Sequence, residues 1–269
     1  MKRIIATVVG LFLALAPLVY ALEYETSTGE EEVVFMSTEG EIDLGDSLSR
    51  SVEKQFGVVK DEAVQNRVNE IGQKVAGVCD RKDLVYHFKV IDAKEKKDDQ
   101  PIINAFSLPG GYVYVFKDLY DKVANDDELA GVIAHEVGHI VARHSVKRLQ
   151  SAYGYTLLMI LASRTQTDQQ NMARAYSAIT SLMLSYGRGD EIFADKLSIK
   201  YAKNAGYNPE GVVTMLKKLW EIQRKEPDRP YVAERSHPYL SIRISKAKQE
   251  VSGKMDFNDY INLPTETNR

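Results

Sequence analysis

Asn125-Asp126-Asp127-Glu128-Leu129-Ala130-Gly131-Val132-Ile133-Ala134-His135-Glu136-Val137-Gly138-His139-Ile140-Val141 is the stretch on which the reading of this chain turns. Asn125 is a natural N-cap, and Asp126, Asp127 and Glu128 put negative charge where the helix dipole favours it. Leu129, Ile133, Val137, Ile140 and Val141 recur at helical spacing, and the pattern carries a helix from about residue 126 to 149. His135 and His139 are four residues apart, so both project from one face, one turn above the other. Two neutral imidazoles so placed can close on one Zn²⁺ at about 2.0–2.1 Å, leaving positions for a third ligand and a water. Glu136 is rotated off that face but stays near enough to take a proton from the water, which is the zinc-peptidase spacing with its chemistry attached. The competing reading is a chance pattern of packed or solvated histidines. Two features weigh against it. Gly138 sits mid-helix, where Gly costs about 1 kcal/mol relative to Ala, so a close approach is expected there. The His-Glu-His set also interrupts an apolar segment, which is costly unless the groups are paired or bound to metal. His144 falls on a different face and reads as a surface histidine.

With 269 residues the chain has no difficulty burying a core, and 44% hydrophobic with 27% charged residues is the balance of a folded globular protein. A formal net charge of -3 argues against a nucleic-acid binder and against a polybasic membrane face. Lys2 and Arg3 precede an apolar run over 4–22, with small residues at 14–16 and 19–21, so residues 1–21 read as a secretory signal peptide. The alternative is an uncleaved anchor, since the run nearly reaches transmembrane length; Pro17 and the candidate cleavage triplets favour removal. No Cys follows the run for lipid attachment. Cys79 is the only cysteine, so no internal disulfide forms and stability rests on packing; a periplasm-like compartment suits that. Cys79 itself reads as a small buried hydrophobe.

Residues 22–43 are acidic and irregular and read as a flexible N-terminal arm. Helical patterns follow over 44–56 and 61–78, the second with Val64, Val68, Ile71 and Val75 on its buried side. Residues 85–91 alternate as a strand, and 92–100 form a charged loop. Two β-rich runs, 102–108 and 112–116, joined by Pro109-Gly110-Gly111, read as a hairpin. Its edge either receives an extended peptide beside the metal or is an ordinary buried edge; periodicity does not choose between these. The apolar run 155–162 is too short to cross a bilayer and reads as a core or interfacial helix. Residues 166–186 read as a helix, either core or lid. Past Gly187-Arg188-Gly189 a helix opens with Glu191 and Asp195 four apart on one face. Glu191 is the candidate third ligand and Asp195 a carboxylate to hold a ligand histidine through its free N–H. Read alone, the pair also fits dipole-friendly surface acids. Asn208-Pro209 starts another helix. Ser236-His237-Pro238 opens the last, where His237 is either a neutral, metal-capable ring or a capping residue. Residues 256–269 form a polar tail.

Asn-Ala-Phe-Ser-Leu-Pro-Gly-Gly-Tyr-Val-Tyr-Val at 104–115, His-Glu-Val-Gly-His at 135–139, Glu-Ile-Phe-Ala-Asp at 191–195, Ser-His-Pro at 236–238 and Arg243-Ile244 occur in one order. Together they resemble the gluzincin metallopeptidases of the HtpX/CAAX-protease superfamily, in particular the soluble periplasmic BepA/LoiP-like branch, over roughly residues 44–251. The resemblance implies an α+β, zincin-like fold, mainly helical, with a small antiparallel sheet whose edge strand lies beside the metal helix. It implies a peptidase domain over 44–255 with one Zn²⁺ held by His135, His139 and Glu191, and Glu136 as general base. It gives Asp195 a supporting or proton-donor role, His237 that of a fourth ligand or switch, and Arg243 that of support. Asn104, Ala105 and Phe106 match the strand that receives substrate. Membrane members carry spanning helices between the first motif and the Glu ligand, and the 155–162 run is too short for that. The implied function is zinc-dependent endopeptidase action on extended or misfolded envelope polypeptides in the periplasm, with no nucleic-acid partner. The alternative is a chaperone or adaptor holding extended chains around a structural zinc.

Overall fold

The structure, a computed structural model, describes residues 22–25, 31–93, 101–162, 169–183, 186–225 and 237–253. Two short strands, β1 (Leu22–Glu25) and β2 (Glu31–Val34), pair antiparallel ahead of the first helix, α1 (Thr38–Gln55). Next come β3 (Phe56–Val58), α2 (Glu62–Val78) and β4 (His87–Ala93). The hairpin strands β5 (Ala105–Leu108) and β6 (Tyr112–Phe116) are joined by a 3-10 turn at Pro109–Gly111. After one helical turn at Lys117–Tyr120 the chain is helical: α3 (Asp126–Val141), α4 (His144–Ala162), α5 (Gln169–Leu182), α6 (Arg188–Asn204), α7 (Glu210–Lys225) and α8 (Leu240–Ser252).

The caps read from sequence are made: Asp61 accepts from Ala63 N at 2.9 Å, and Asn125 from Glu128 N at 3.0 Å. Two helix boundaries differ from expectation. α1 starts at Thr38, not near 44, because Ser37 accepts from Gly40 N at 3.2 Å; residues 38–43, assigned to a flexible arm, are its first turns. α3 stops at Val141 and does not run on to 149: Arg143 takes a left-handed backbone (φ 56) and α4 departs from His144. The leader, most of the 92–100 loop and the 256–269 tail lie outside the described residues.

The main sheet has strand order β3-β4-β6-β5. It is mixed, not antiparallel as expected: β3–β4 and β5–β6 run antiparallel, but β4 and β6 pair in parallel, with His87 opposite Tyr112 and Ile91 opposite Phe116. β5 takes the outer position, so the returning strand of the hairpin fills the place beside β4, where it runs parallel to it. Side chains alternate across this sheet. Val90, Val113, Val115 and Ala105 enter a core with α2 and α3, whereas Ile91, Phe106, Tyr114 and Phe116 enter a second core with α1, α4 and α5. Both faces are covered, which is why β6 reads as an unbroken apolar run. A third core joins α6, α7 and α8 through Ile199, Val213, Leu216, Leu240 and Ile244. The result is an α+β, zincin-like architecture. Its edge strand β5 packs against α3, as expected. Among the described residues no helix is long and apolar enough to cross a membrane, and α4 is broken at Gly154 (φ 70).

Candidate metal centre

Gly138 explains how the third acidic group reaches the two histidines. A Cβ there would lie 3.0 Å from the Ala194 carbonyl oxygen and 3.3 Å from Leu197 Cβ, so α3 and α6 approach at backbone distance. That contact sets Glu191, in the first turn of α6, opposite His135 and His139 in the last turns of α3. His237, just ahead of α8, closes the set.

Donor atoms of His135, His139, Glu191 and His237 lie within 4.8 Å of one another, and all four residues are buried. His135 Nε2 is 3.1 Å from His139 Nε2 and 3.2 Å from His237 Nδ1. Glu191 carboxylate oxygens lie 3.5 Å from His135 Nε2, 3.6 Å from His139 Nε2 and 3.1 Å from His237 Nδ1. A tetrahedron of ligands about 2.0–2.1 Å from a zinc ion has edges of about 3.3–3.4 Å. The donor set therefore fits a small divalent cation in both spacing and chemistry. Burying such polar groups is costly unless they are paired or bound to a cation.

Around this set the carboxylates are fixed in turn. Asp195 Oδ1 stands 2.9 Å from His135 Nδ1, as its spacing from Glu191 suggested. Arg243, 2% exposed, grips Asp195 through Nε and Nη2 at 2.7 Å each, and Glu191 Oε2 through Nη1 at 2.7 Å. Its Nη1 also donates to the His237 carbonyl at 3.0 Å, so one guanidinium ties together both carboxylates and the segment carrying His237. Burial and the nearby guanidinium push His135 down, but its bonds to Asp195 and Glu191 prevail and raise it to about 9. His139 is held well below its usual value, chiefly by burial. For Glu191, burial raises the carboxyl, yet the neighbouring His237 ring and Arg243 guanidinium prevail and hold it well below the usual carboxylate range. Asp195 is likewise lowered by Arg243 against its own burial.

Glu136 is 2% exposed, with Oε1 3.4 Å from His237 Nε2, and its Oε2 has no hydrogen-bond partner among the described residues. Beside it opens a cavity of about 50 Å³ lined by Leu119, Val132, Val212, Met215, Leu216 and Leu219.

The substrate-strand residues separate. Asn104 O accepts from Phe116 N at 3.0 Å, so alternation along an antiparallel pair turns the Ala105 main chain to the open edge. Ala105 O is indeed 3.4 Å from His237 Nε2. Phe106 points the other way, into the second core against Tyr114 and Phe116. Of the three, Ala105 is the one at the centre.

Two groups were not expected here. His144, read as a surface histidine, is 3% exposed and places Nδ1 2.8 Å from His139 Nδ1. The left-handed turn at Arg143 overturns the continuous-helix reading and swings His144 back beneath His139. Burial pushes its ring down to about 3, so it stays neutral. His237, expected at the N-terminus of the last helix, precedes it by a turn in which Tyr239 is left-handed (φ 66). Tyr186 was also missed: its ring stacks on His139 at 4.2 Å between centroids.

Comparison with known proteins agrees with this geometry. Residues 62–251 match peptidase family M48. The chain is 24% identical over 223 residues to the beta-barrel assembly-enhancing protease of Escherichia coli (strain K12), covering 79% of this chain and 44% of that protein. Its counterpart from Yersinia pestis is 23% identical over 227 residues, covering 81% and 45%. The mitochondrial metalloendopeptidase OMA1 of Arabidopsis thaliana is 35% identical over 124 residues, covering 46% of this chain and 25% of that protein. The chain thus spans less than half the length of these curated relatives.

Proposed function

The chain belongs to peptidase family M48, and from that membership and the buried donor set we propose that it is a zinc-dependent metalloendopeptidase. The observation that carries the reading is the convergence of His135, His139 and Glu191 at ligand-edge spacing beside a buried, unpartnered oxygen of Glu136. His135, His139 and Glu191 would hold the ion. A bound zinc supplies Lewis acidity, polarising the scissile carbonyl and acidifying the attacking water. Glu136 takes the proton from that water through Oε2 and returns it to the leaving amine as the bond breaks. Asp195 keeps His135 oriented and Arg243 keeps Asp195 in place. An extended substrate pairs with the outward main chain at Ala105, and an apolar side chain fills the cavity under Met215 and Leu219. His237 takes the fourth donor position in the resting state, so substrate entry requires it to withdraw.

The holdase alternative has no use for a buried carboxylate oxygen left open at the edge of the donor set. We further propose that residues 1–21 are an export signal and that the mature protein acts in the periplasm on extended or misfolded envelope proteins. The basic-then-apolar N-terminus and the relative named for enhancing beta-barrel assembly support this reading. The direct test is Glu136→Gln, with unfolded casein as substrate. Zinc content and fold should be retained while turnover falls by about 10²–10⁴-fold, the usual worth of a general base. Full activity in that variant would dismiss the mechanism.

A further inference from the structure

His135 and His139 present Nε2 to the same point, but their outer nitrogens are treated differently. His135 Nδ1 meets a carboxylate directly, Asp195 Oδ1 at 2.9 Å. His139 Nδ1 meets another imidazole, His144 Nδ1 at 2.8 Å, and His144 Nε2 lies 3.3 Å from Asp190 Oδ1. That chain admits one proton arrangement once His139 ligates through Nε2. A ligating Nε2 needs its lone pair, so the His139 proton sits on Nδ1 and is donated to His144 Nδ1. His144 Nδ1 must then be the acceptor, which leaves its own proton on Nε2, facing the Asp190 carboxylate.

We propose that His144, set by Asp190, is a positioning residue of the metal centre: it fixes the tautomer and ring orientation of His139. This rests on the reading of His139 as a zinc ligand. The fold supplies the means. The left-handed Arg143 turn delivers His144 to this place, and the Arg143 guanidinium is anchored at 2.6 Å on Met36 O and 3.1 Å from Glu41 Oε2. The Tyr186 ring stacks on His139 at 4.2 Å between centroids and packs against one face of the imidazole. Asp190 neighbours Glu191 in sequence, so one helix start provides both a ligand and the carboxylate that sets the relay.

The test is zinc affinity of the full chain, read by competition with a chromophoric chelator. His144→Leu removes the acceptor at similar volume and should weaken zinc about 10–100-fold, the usual worth of a residue that orients a ligand. His144→Asn, whose Oδ1 can stand where Nδ1 stood, should recover most of that loss. A His144→Leu loss under tenfold, or His144→Asn no better than His144→Leu, overturns the assignment. Should His144→Leu not fold, ring ¹⁵N spectra of the zinc-loaded parent decide: His144 protonated on Nε2 is expected, and protonation on Nδ1 overturns it. A parent that fails to retain zinc removes the ligand reading itself, and this inference with it. Zinc retained tightly by parent and His144→Leu alike would overturn the relay alone.

Discussion

Two buried charge clusters adjoin the last turns of α3, and they are built in opposite ways. In the first, Glu41 is 1% exposed and both its carboxylate oxygens accept hydrogen bonds. Its Oε1 accepts from Arg81 Nη1 at 2.9 Å and Gly110 N at 3.2 Å, and its Oε2 from Arg81 Nη2 at 2.8 Å, with Arg143 Nη2 3.1 Å away. Arg81 Nη1 also reaches the Ile140 carbonyl at 3.3 Å, which ties α1 to the end of α3. In the second, His135, His139, Glu191 and His237 bring ring nitrogens and carboxylate oxygens to one point. Arg243 neutralises part of that charge, with Nη1 2.7 Å from Glu191 Oε2 and Nη2 3.5 Å from His135 Nε2. Burial and charge are common to both; a meeting of metal-ligand atoms belongs only to the second. In the first cluster the Glu41 carboxylate is fully partnered as folded, and the second has the donor atoms and spacing to take a cation.

Variants on each side can break or sharpen that contrast. The largest effect is expected from Glu191→Gln, which removes the one full negative charge from the donor set. Zinc affinity by chelator competition should fall by more than the roughly 100-fold upper range for losing an orienting partner. The metal-free fold should survive, because Arg243 keeps its two bonds to Asp195. Zinc held as tightly by Glu191→Gln as by the parent would remove Glu191 from the centre. Next comes Glu41→Ala, which strands two buried guanidinium groups and should cost about 3–5 kcal/mol in denaturant unfolding. The stabilisation gained from added zinc should be the same in this variant as in the parent. If that gain vanished too, the clusters would be one cooperative unit coupled through Arg143 and His144, and the contrast would fail.

How much of this could be read in advance follows from range. His135, Glu136 and His139 are set by spacing along one helix, so local periodicity pointed to them; Glu191 and Asp195 share a helix face, but by spacing alone they also fitted surface acids and the resemblance singled them out. The start of α1 was also legible in principle: Ser37 followed by Glu39 and Glu41 is a capping residue ahead of acidic first-turn groups, hidden inside a longer acidic run. His144 was not legible. Ala142-Arg143 carries no Gly or Asn to announce a left-handed turn, and Arg143 is held there by partners more than a hundred residues upstream. The same holds for the parallel pairing of β4 with β6; Arg243 was named only through the family resemblance, because its three partners come from two other segments. Phe106 shows the limit within a correct element: the strand was found, but which of its faces meets the site depends on its pairing with β6.

The most direct test of the central claim is an anomalous difference map at the zinc edge from crystals of the zinc-loaded protein. The account predicts one peak bounded by His135 Nε2, His139 Nε2 and a Glu191 carboxylate oxygen at about 2.0–2.2 Å, with His237 as the fourth donor at rest. A peak elsewhere, or one that Glu191 does not touch, would contradict it.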